Sequence, residues 1–224
     1  AYTAEPVIFN AFVTKPTSQG RPPFTLWAIL RNIVFYIPPV LGSAFILLLS
    51  FVAMLVPAKK SSRQAAIGWM LHRACRILVG YAAFIHPKRI GPDGELIKSW
   101  NGEAGVIVAN HQSSLDIIMI LATFPKVKFM VADWVLTSPL FGMISRFLGY
   151  YSRSEGYEKA LERLRVDVAD GWCLAVFPEG TRSLNGKIKR FHKGAFYLAS
   201  QVGVPVIPVV FYGNWRIAPK NQGF

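Results

Sequence analysis

The 224-residue chain is short of several things, and each shortage closes off a class of function. It has two cysteines, Cys75 and Cys173, both inside apolar stretches and neither with a His or Cys at metal-ligand spacing. A disulfide framework and a zinc site are therefore poor readings, and buried reduced thiols are the expectation. Acidic side chains are nearly missing from the first part: residues 1–92 hold ten Lys and Arg against the single acid Glu5, whereas residues 93–224 hold fifteen against eleven. A formal charge of +13 would invite a nucleic-acid reading, but no recognisable nucleic-acid motif accompanies it, so nucleic acid is not an expected partner. No cleavable signal peptide is evident, because the first apolar run begins too late and lacks a small-residue cleavage site. Internal repeats and low-complexity tracts are also missing. A start at Ala1 rather than Met, and a stop at Phe224 soon after a strand-like segment, are what a piece of a longer chain would show.

What is present begins with a run from Phe24 to Val56, 33 residues with one formal charge, Arg31, more apolar than a soluble surface would expose. Pro38-Pro39 interrupts it, and neither half reaches the roughly 20 residues that a straight membrane span needs. Two geometries stay open: one tilted span built mainly from Val40 to Val56, or a helical hairpin that dips into one leaflet and returns. The proline pair fits the hairpin better. Lys59, Lys60 and Arg63 follow with no acid until Asp93. That excess puts this flank on the cytoplasmic side and suggests an anionic membrane surface as a partner. Residues 1–23, with Pro6, Pro16, Gly20, Pro22 and Pro23, read as an irregular lead-in. Residues 24–60 read as a membrane-associated helical segment. Residues 61–86 read as a basic amphipathic helix, with His72, Arg73 and Arg76 within about 100° of arc. An ordinary domain helix whose charged edge faces water is the alternative for that segment.

From residue 87 to 224 apolar strands alternate with helices. Gly105–Ala109 and Trp172–Phe177 are continuous apolar runs of the kind buried in parallel sheets, and Val127–Ala132, which carries Lys128, reads as a further strand. Gly149–Ser152 reads as a short strand or edge, and Val204–Phe211 as a strand that Pro205 and Pro208 demote to an edge or an interrupted strand. Helices are expected from Ile117, over Leu136–Leu148, over Glu155–Ala169 and over Lys193–Val202. This alternation predicts an α/β domain with a mostly parallel mixed sheet flanked by helices.

Two stretches carry candidate chemistry. Asn110-His111-Gln112-Ser113-Ser114-Leu115-Asp116 lies where a strand ends and a helix begins. His111 and Asp116 would point about 140° apart in a regular helix, so they meet only if His111 precedes the helix and Asp116 sits in its first turn. The carboxylate would then fix one ring nitrogen and leave the other to accept a proton. An alternative stands beside this: Ser113-x-x-Asp116 is a variant capping box. The second stretch, Phe177-Pro178-Glu179-Gly180-Thr181-Arg182-Ser183, ends another strand, where open α/β sheets put their ligand sites. Arg182 is followed by Lys187, Lys189, Arg190 and Lys193 with no intervening acid, a loop suited to a phosphate or other anion, or else simply a solvated basic loop.

These stretches resemble the NHxxxxD and FPEGTRS motifs of the glycerolipid acyltransferases that include the 1-acylglycerol-3-phosphate acyltransferases. Phe191-His192-Lys193-Gly194-Ala195 is similar to the family's F-x-K-G-A segment, and Val204 to Val209 to its V-P-x-x-P-V strand. The resemblance covers roughly Ile85 to the end. It implies transfer of a fatty acyl group from a thioester, acyl-CoA or acyl carrier protein, to the hydroxyl of a lysophospholipid. His111 would be the general base and Asp116 its orienter, with no acyl-enzyme and no metal or organic cofactor. Asn110, Glu179, Gly180, Thr181, Arg182 and Arg153 would bind substrate, and the family's helical pair would dock the domain on a membrane. The sequence departs from the pattern in two places. A lysine found in many relatives is Ala132 here, and the G-x-x-F-x-x-R block is shortened to Gly149-Tyr150-Tyr151-Ser152-Arg153. Lysophosphatidic acid gripped by Arg153 and Arg182, and a lysolipid with another head group, both stay open.

Overall fold

A computed structural model describes residues 7–11, 41–42, 44–46, 48–81, 87–90, 102–139 and 141–216. The continuous apolar runs become the centre of a seven-stranded sheet. Its strands are β1 (Val7–Ala11), β2 (Pro87–Ile90), β3 (Val106–Ala109), β4 (Val127–Val131), β5 (Tyr151–Ser152), β6 (Cys173–Val176) and β7 (Val206–Tyr212), in the order β2-β1-β7-β3-β6-β4-β5. Only β2, at one edge, runs antiparallel, against β1; every other pairing is parallel. The expected mostly parallel α/β architecture is borne out.

The helices are α1 (Lys60–Tyr81), α2 (Leu115–Leu121), α3 (Asp133–Thr137), α4 (Phe141–Leu148), α5 (Tyr157–Ala169) and α6 (Gly194–Val202), with a 3-10 turn at Asn214–Arg216. The chain leaves β3 for β4 in one direction across the sheet and leaves β6 for β7 in the other. Right-handed crossovers running in opposite directions must use opposite faces. Accordingly Met119 and Ile120 of α2 pack with Ile107, Ala175 and Val209 on one face. On the other, Leu164 of α5 and Leu198 of α6 pack with Val106, Leu174 and Val176. The connections thus part above the carboxyl ends of β3 and β6, opening a crevice there. Cys173 belongs to the first core, and burial pushes its thiol up to about 11; Cys75 on α1 is pushed up to about 12 for the same reason.

Several expectations need correction. Val7–Ala11, in the stretch read as irregular, forms a strand parallel to β7. Its apolar content was visible, but its partner lies some two hundred residues away and prolines flank it. Strand β7 is no edge despite its prolines, since it lies between β1 and β3. The bond from the Val106 N–H to the Pro205 carbonyl, 3.0 Å, sets the odd-numbered residues of β7 toward β3. Pro208 therefore turns its donorless nitrogen toward β1, whose ladder with β7 begins only at Val209. The expected helix over Leu136–Leu148 is two helices, α3 and α4, divided around Pro139.

The basic edge of α1 divides: Arg73 is exposed, whereas His72 is buried and its Nδ1 lies 2.8 Å from the Leu121 carbonyl. Ile67 and Leu71 of the same helix pack with Ile144, Leu148 and Trp172, so α1 is fastened to the domain. Residues 24–40 of the expected membrane segment lie outside the described residues. Residues 48–55 are helical, and they turn Phe51, Ala53 and Met54 to that same cluster while Leu48, Val52 and Leu55 are exposed. Among the described residues no helix is long and apolar enough to cross a membrane.

Candidate active site

Strands β3 and β6 are neighbours in register, Val106 opposite Leu174 and Val108 opposite Val176, so the two motif stretches leave the sheet side by side. The peptide chain turns sharply after Asn110. Two backbone amides and the His111 ring then converge on the Asp116 carboxylate, which is fully buried. Its Oδ2 accepts from the Gln112 and Ser113 amides at 2.7 and 2.8 Å and stands 2.9 Å from His111 Nδ1. The capping reading and the histidine reading are therefore not rivals. The same oxygen closes the turn before α2 and fixes the imidazole, and α2's first turn is a favourable place for its charge.

With Nδ1 as donor to the carboxylate, Nε2 carries the lone pair, and no hydrogen bond among the described residues occupies it. The His111 side chain is 13% exposed, and its ring stacks on Phe177 with centroids 3.9 Å apart and planes 15° from parallel. An oriented, slightly exposed imidazole with one free nitrogen is the geometry of a general base.

Glu179, expected among the substrate ligands, is held by the protein's own main chain. It is buried, and both oxygens are taken by main-chain amides: Oε1 accepts from His111 N–H at 2.7 Å and Oε2 from Lys189 N–H at 2.9 Å. Its role here is to latch the cationic loop to the histidine's backbone, which the Ser183 N–H to His111 carbonyl bond, 2.8 Å, reinforces. Asn110 is likewise turned inward. Its amide donates to the Phe211 carbonyl at 2.9 Å and accepts the Phe211 N–H at 2.7 Å, adding a side-chain rung to the ladder between β3 and β7. The family resemblance put both residues with the substrate, and a motif match does not record which way a side chain turns.

The remaining expected residues surround the crevice. Arg182, half-buried, donates to the Ser114 hydroxyl at 2.7 Å, tying the second motif to the first. Arg153 is exposed after β5 and donates to the Gly180 carbonyl at 3.0 Å. Gly180 has φ +72°, and its missing Cβ leaves room for the guanidinium, whose nearest atom would stand 3.3 Å away; a side chain there would be strained and would crowd Arg153. Thr181 lies between Gly180 and Arg182 and is exposed. Beside the histidine is a cavity of about 310 Å³, lined by Met130, Ala160, Val176, Phe177, Arg153 and His192 among others. Phe177 divides it from His111, and its walls are mostly apolar with Arg153 and His192 as cations or donors. At position 132, Ala132 precedes α3, and the next residue, Asp133, accepts from the Ser152 and Ser154 hydroxyls on either side of Arg153. Those bonds, first Ser152, hold its carboxyl below the ordinary range, aided by the Arg153 charge. Among the described residues no group of three or more His, Cys, Asp or Glu is placed to hold a metal ion.

This site lies within a stretch with known counterparts. A chloroplastic 1-acyl-sn-glycerol-3-phosphate acyltransferase of Brassica napus is 35% identical over 121 residues, covering 52% of this chain and 35% of that protein. The human 1-acyl-sn-glycerol-3-phosphate acyltransferase beta is 34% identical over 113 residues, covering 47% and 40%. The chain thus spans well under half the length of these relatives. The crystal structure of the 1-acyl-sn-glycerophosphate acyltransferase PlsC from Thermotoga maritima superposes with a TM-score of 0.60 at 23% identity, over 88% of this chain and 79% of that one, a likeness of fold. The Acyltransferase family model matches residues 93–212, which include both motif stretches, and on that match the chain belongs to the acyltransferase family.

Proposed function

We propose that the protein is a membrane-bound O-acyltransferase that moves a fatty acyl chain from acyl-CoA or acyl carrier protein to the hydroxyl of a lysophospholipid. The favoured acceptor is 1-acyl-sn-glycerol-3-phosphate, which would give phosphatidic acid. The observation that carries this reading is the pairing of His111 Nδ1 with the buried Asp116, which leaves Nε2 unoccupied at the mouth of the crevice. Nε2 takes the proton of the acceptor hydroxyl as its oxygen attacks the thioester carbonyl. The new ester C–O bond forms, the C–S bond breaks, and the imidazolium returns the proton to the departing thiolate. Asp116 stabilises the transient imidazolium and keeps the ring in one tautomer. Backbone amides near the two motifs are the candidate donors to the oxyanion. Arg182 and Arg153 supply positive charge for the acceptor's head group, and the exposed Leu48, Val52 and Leu55 with Lys59 and Lys60 suit an anionic membrane on the cytoplasmic face.

The test is incubation of the purified protein with labelled acyl donor and a panel of lysolipids, followed by mass analysis of products. Diacyl lipid formed by wild type and lost in His111→Ala supports the proposal. Wild-type turnover in His111→Ala would sink the mechanism. Free fatty acid released regardless of acceptor would make the protein a thioesterase instead, and lysolipid binding without transfer would leave a binding module.

A further inference from the structure

The Asp116 carboxylate has a second oxygen, and what holds it comes from neither motif. Asn214, in the 3-10 turn that follows β7, is fully buried and donates through Nδ2 to Asp116 Oδ1 at 2.7 Å. The second Nδ2 proton faces Met119 Sδ at 3.1 Å, on the same helix as Asp116. Asn214 Oδ1 has no partner among the described residues. The orientation is fixed by chemistry: the reverse rotamer would set an amide oxygen against an acceptor-only carboxylate. Asp116 thereby receives donors on both oxygens, three on Oδ2 and one on Oδ1. The three on Oδ2 all come from the turn at 111–113, so they can swing with it. Asn214 is the one donor anchored to a different strand. The next residue, Trp215, packs its indole over Gly186, whose carbonyl accepts from Gln112 Nε2 at 2.8 Å. The turn at Asn214–Arg216 therefore braces Asp116 with one side chain and the cationic loop with the next.

We propose that Asn214 is a positioning residue for the reaction, acting through Asp116 to hold His111 in the tautomer that leaves Nε2 basic. This rests on the acyl-transfer reading for its kinetic arm but not for its spectroscopic one. Removal of the amide leaves Oδ1 without its donor in a dry site, so the carboxylate rotates toward other partners and its bond to Nδ1 loosens. A residue that merely packed there would change stability without changing the ring's protonation pattern.

The experiment uses Asn214→Ala and Asn214→Ser in the full chain, with Asp116→Ala and the double variant Asp116→Ala/Asn214→Ala. The expected result is a kcat about 10- to 100-fold lower in Asn214→Ala with KM for both substrates within about twofold, a part of the whole contribution of a general base. In the Asp116→Ala background the Asn214 substitution is expected to add nothing further. Nitrogen-15 correlation spectra of the His111 ring, at about pH 8 where an ordinary imidazole is neutral, should show one tautomer protonated at Nδ1 in wild type and a mixture in the variant. If Asn214→Ala does not fold, Asn214→Ser, smaller in its change of polarity, carries the same readings. An unchanged kcat with an unchanged ring pattern, or a full additional loss in the Asp116→Ala background, overturns the proposal. Wild-type protein that transfers no acyl group would overturn the reaction instead, and the ring spectra would then still decide whether Asn214 sets the tautomer.

Discussion

Two carboxylates, Asp116 fully buried and Asp167 with 13% of its side chain exposed, are satisfied in different ways. Asp167 on α5 is closed by charge and phenol: Lys128 Nζ at 2.6 Å, Tyr151 hydroxyl at 2.6 Å, with Arg163 stacked on the Tyr151 ring and paired with Glu155 at 2.5 Å. Burial, and then the Asp167 bond, raise the Tyr151 phenol well above its ordinary value. Among the described residues, Glu155 Oε1 is the buried atom of that cluster without a partner. Among the described residues Asp116 pairs with no Lys or Arg. Its charge is met by amide dipoles and one imidazole, and the imidazole's far nitrogen is open. The first cluster meets its carboxylates with other charged groups, while the second leaves the imidazole Nε2 open beside the crevice.

The comparison can be broken first at Asp116. Asp116→Asn should lower kcat for acyl transfer by about 10²- to 10⁴-fold, as expected for loss of an oriented base, well beyond its stability cost of about 1–3 kcal/mol for the buried donors its amide leaves unpaired; steady-state kinetics and calorimetry check the two halves. At the other carboxylate the pattern should invert. Lys128→Ala strands a partly buried charge that keeps its Tyr151 bond and should cost about 1–3 kcal/mol of stability, read by urea unfolding, while folded protein keeps its turnover. The double replacement Lys128→Met with Asp167→Leu should recover much of that loss, which would mark the pair as structural. Glu179→Gln lies between the two: one of two buried amides loses its acceptor, at a cost of about 1–3 kcal/mol, and the loop at 183–189 should become more protease-sensitive. The smallest effect belongs to Asp133. Its folded pKa is depressed, so its contribution is present above the ordinary carboxylate value and lost as pH falls through the folded one. Asp133→Asn should therefore lower stability slightly at neutral pH and flatten its fall below about pH 4, which a midpoint-versus-pH series would show.

The strands beneath both clusters were legible because Val106–Ala109 and Cys173–Val176 are unbroken apolar runs, and the crevice above them because two polar motifs each end such a run. His111 and Asp116 were legible as a pair since five residues and one helix start suffice to bring them together. Long-range pairing was not. Val7–Ala11 finds β7, Asn110 finds Phe211 and Asn214 finds Asp116 across intervals of about a hundred residues or more, and no local periodicity records such meetings. Glu179 shows the same limit at shorter intervals, for its side chain turns to the main-chain amides of His111 and Lys189. The division of α3 from α4 was written in Pro139, and the two-way reading of Pro208 depended on knowing which strand lay on each side of β7.

The Asn110 rung has a mechanical consequence. A strand normally surrenders its stiffness where its backbone bends away, and the residues after the bend drift with the loop. Here one primary amide keeps the sheet's bonding intact for another step while the backbone has already left it. His111 is thus a loop residue by conformation and a sheet residue by rigidity, free to face the crevice yet denied the wandering that usually comes with that freedom.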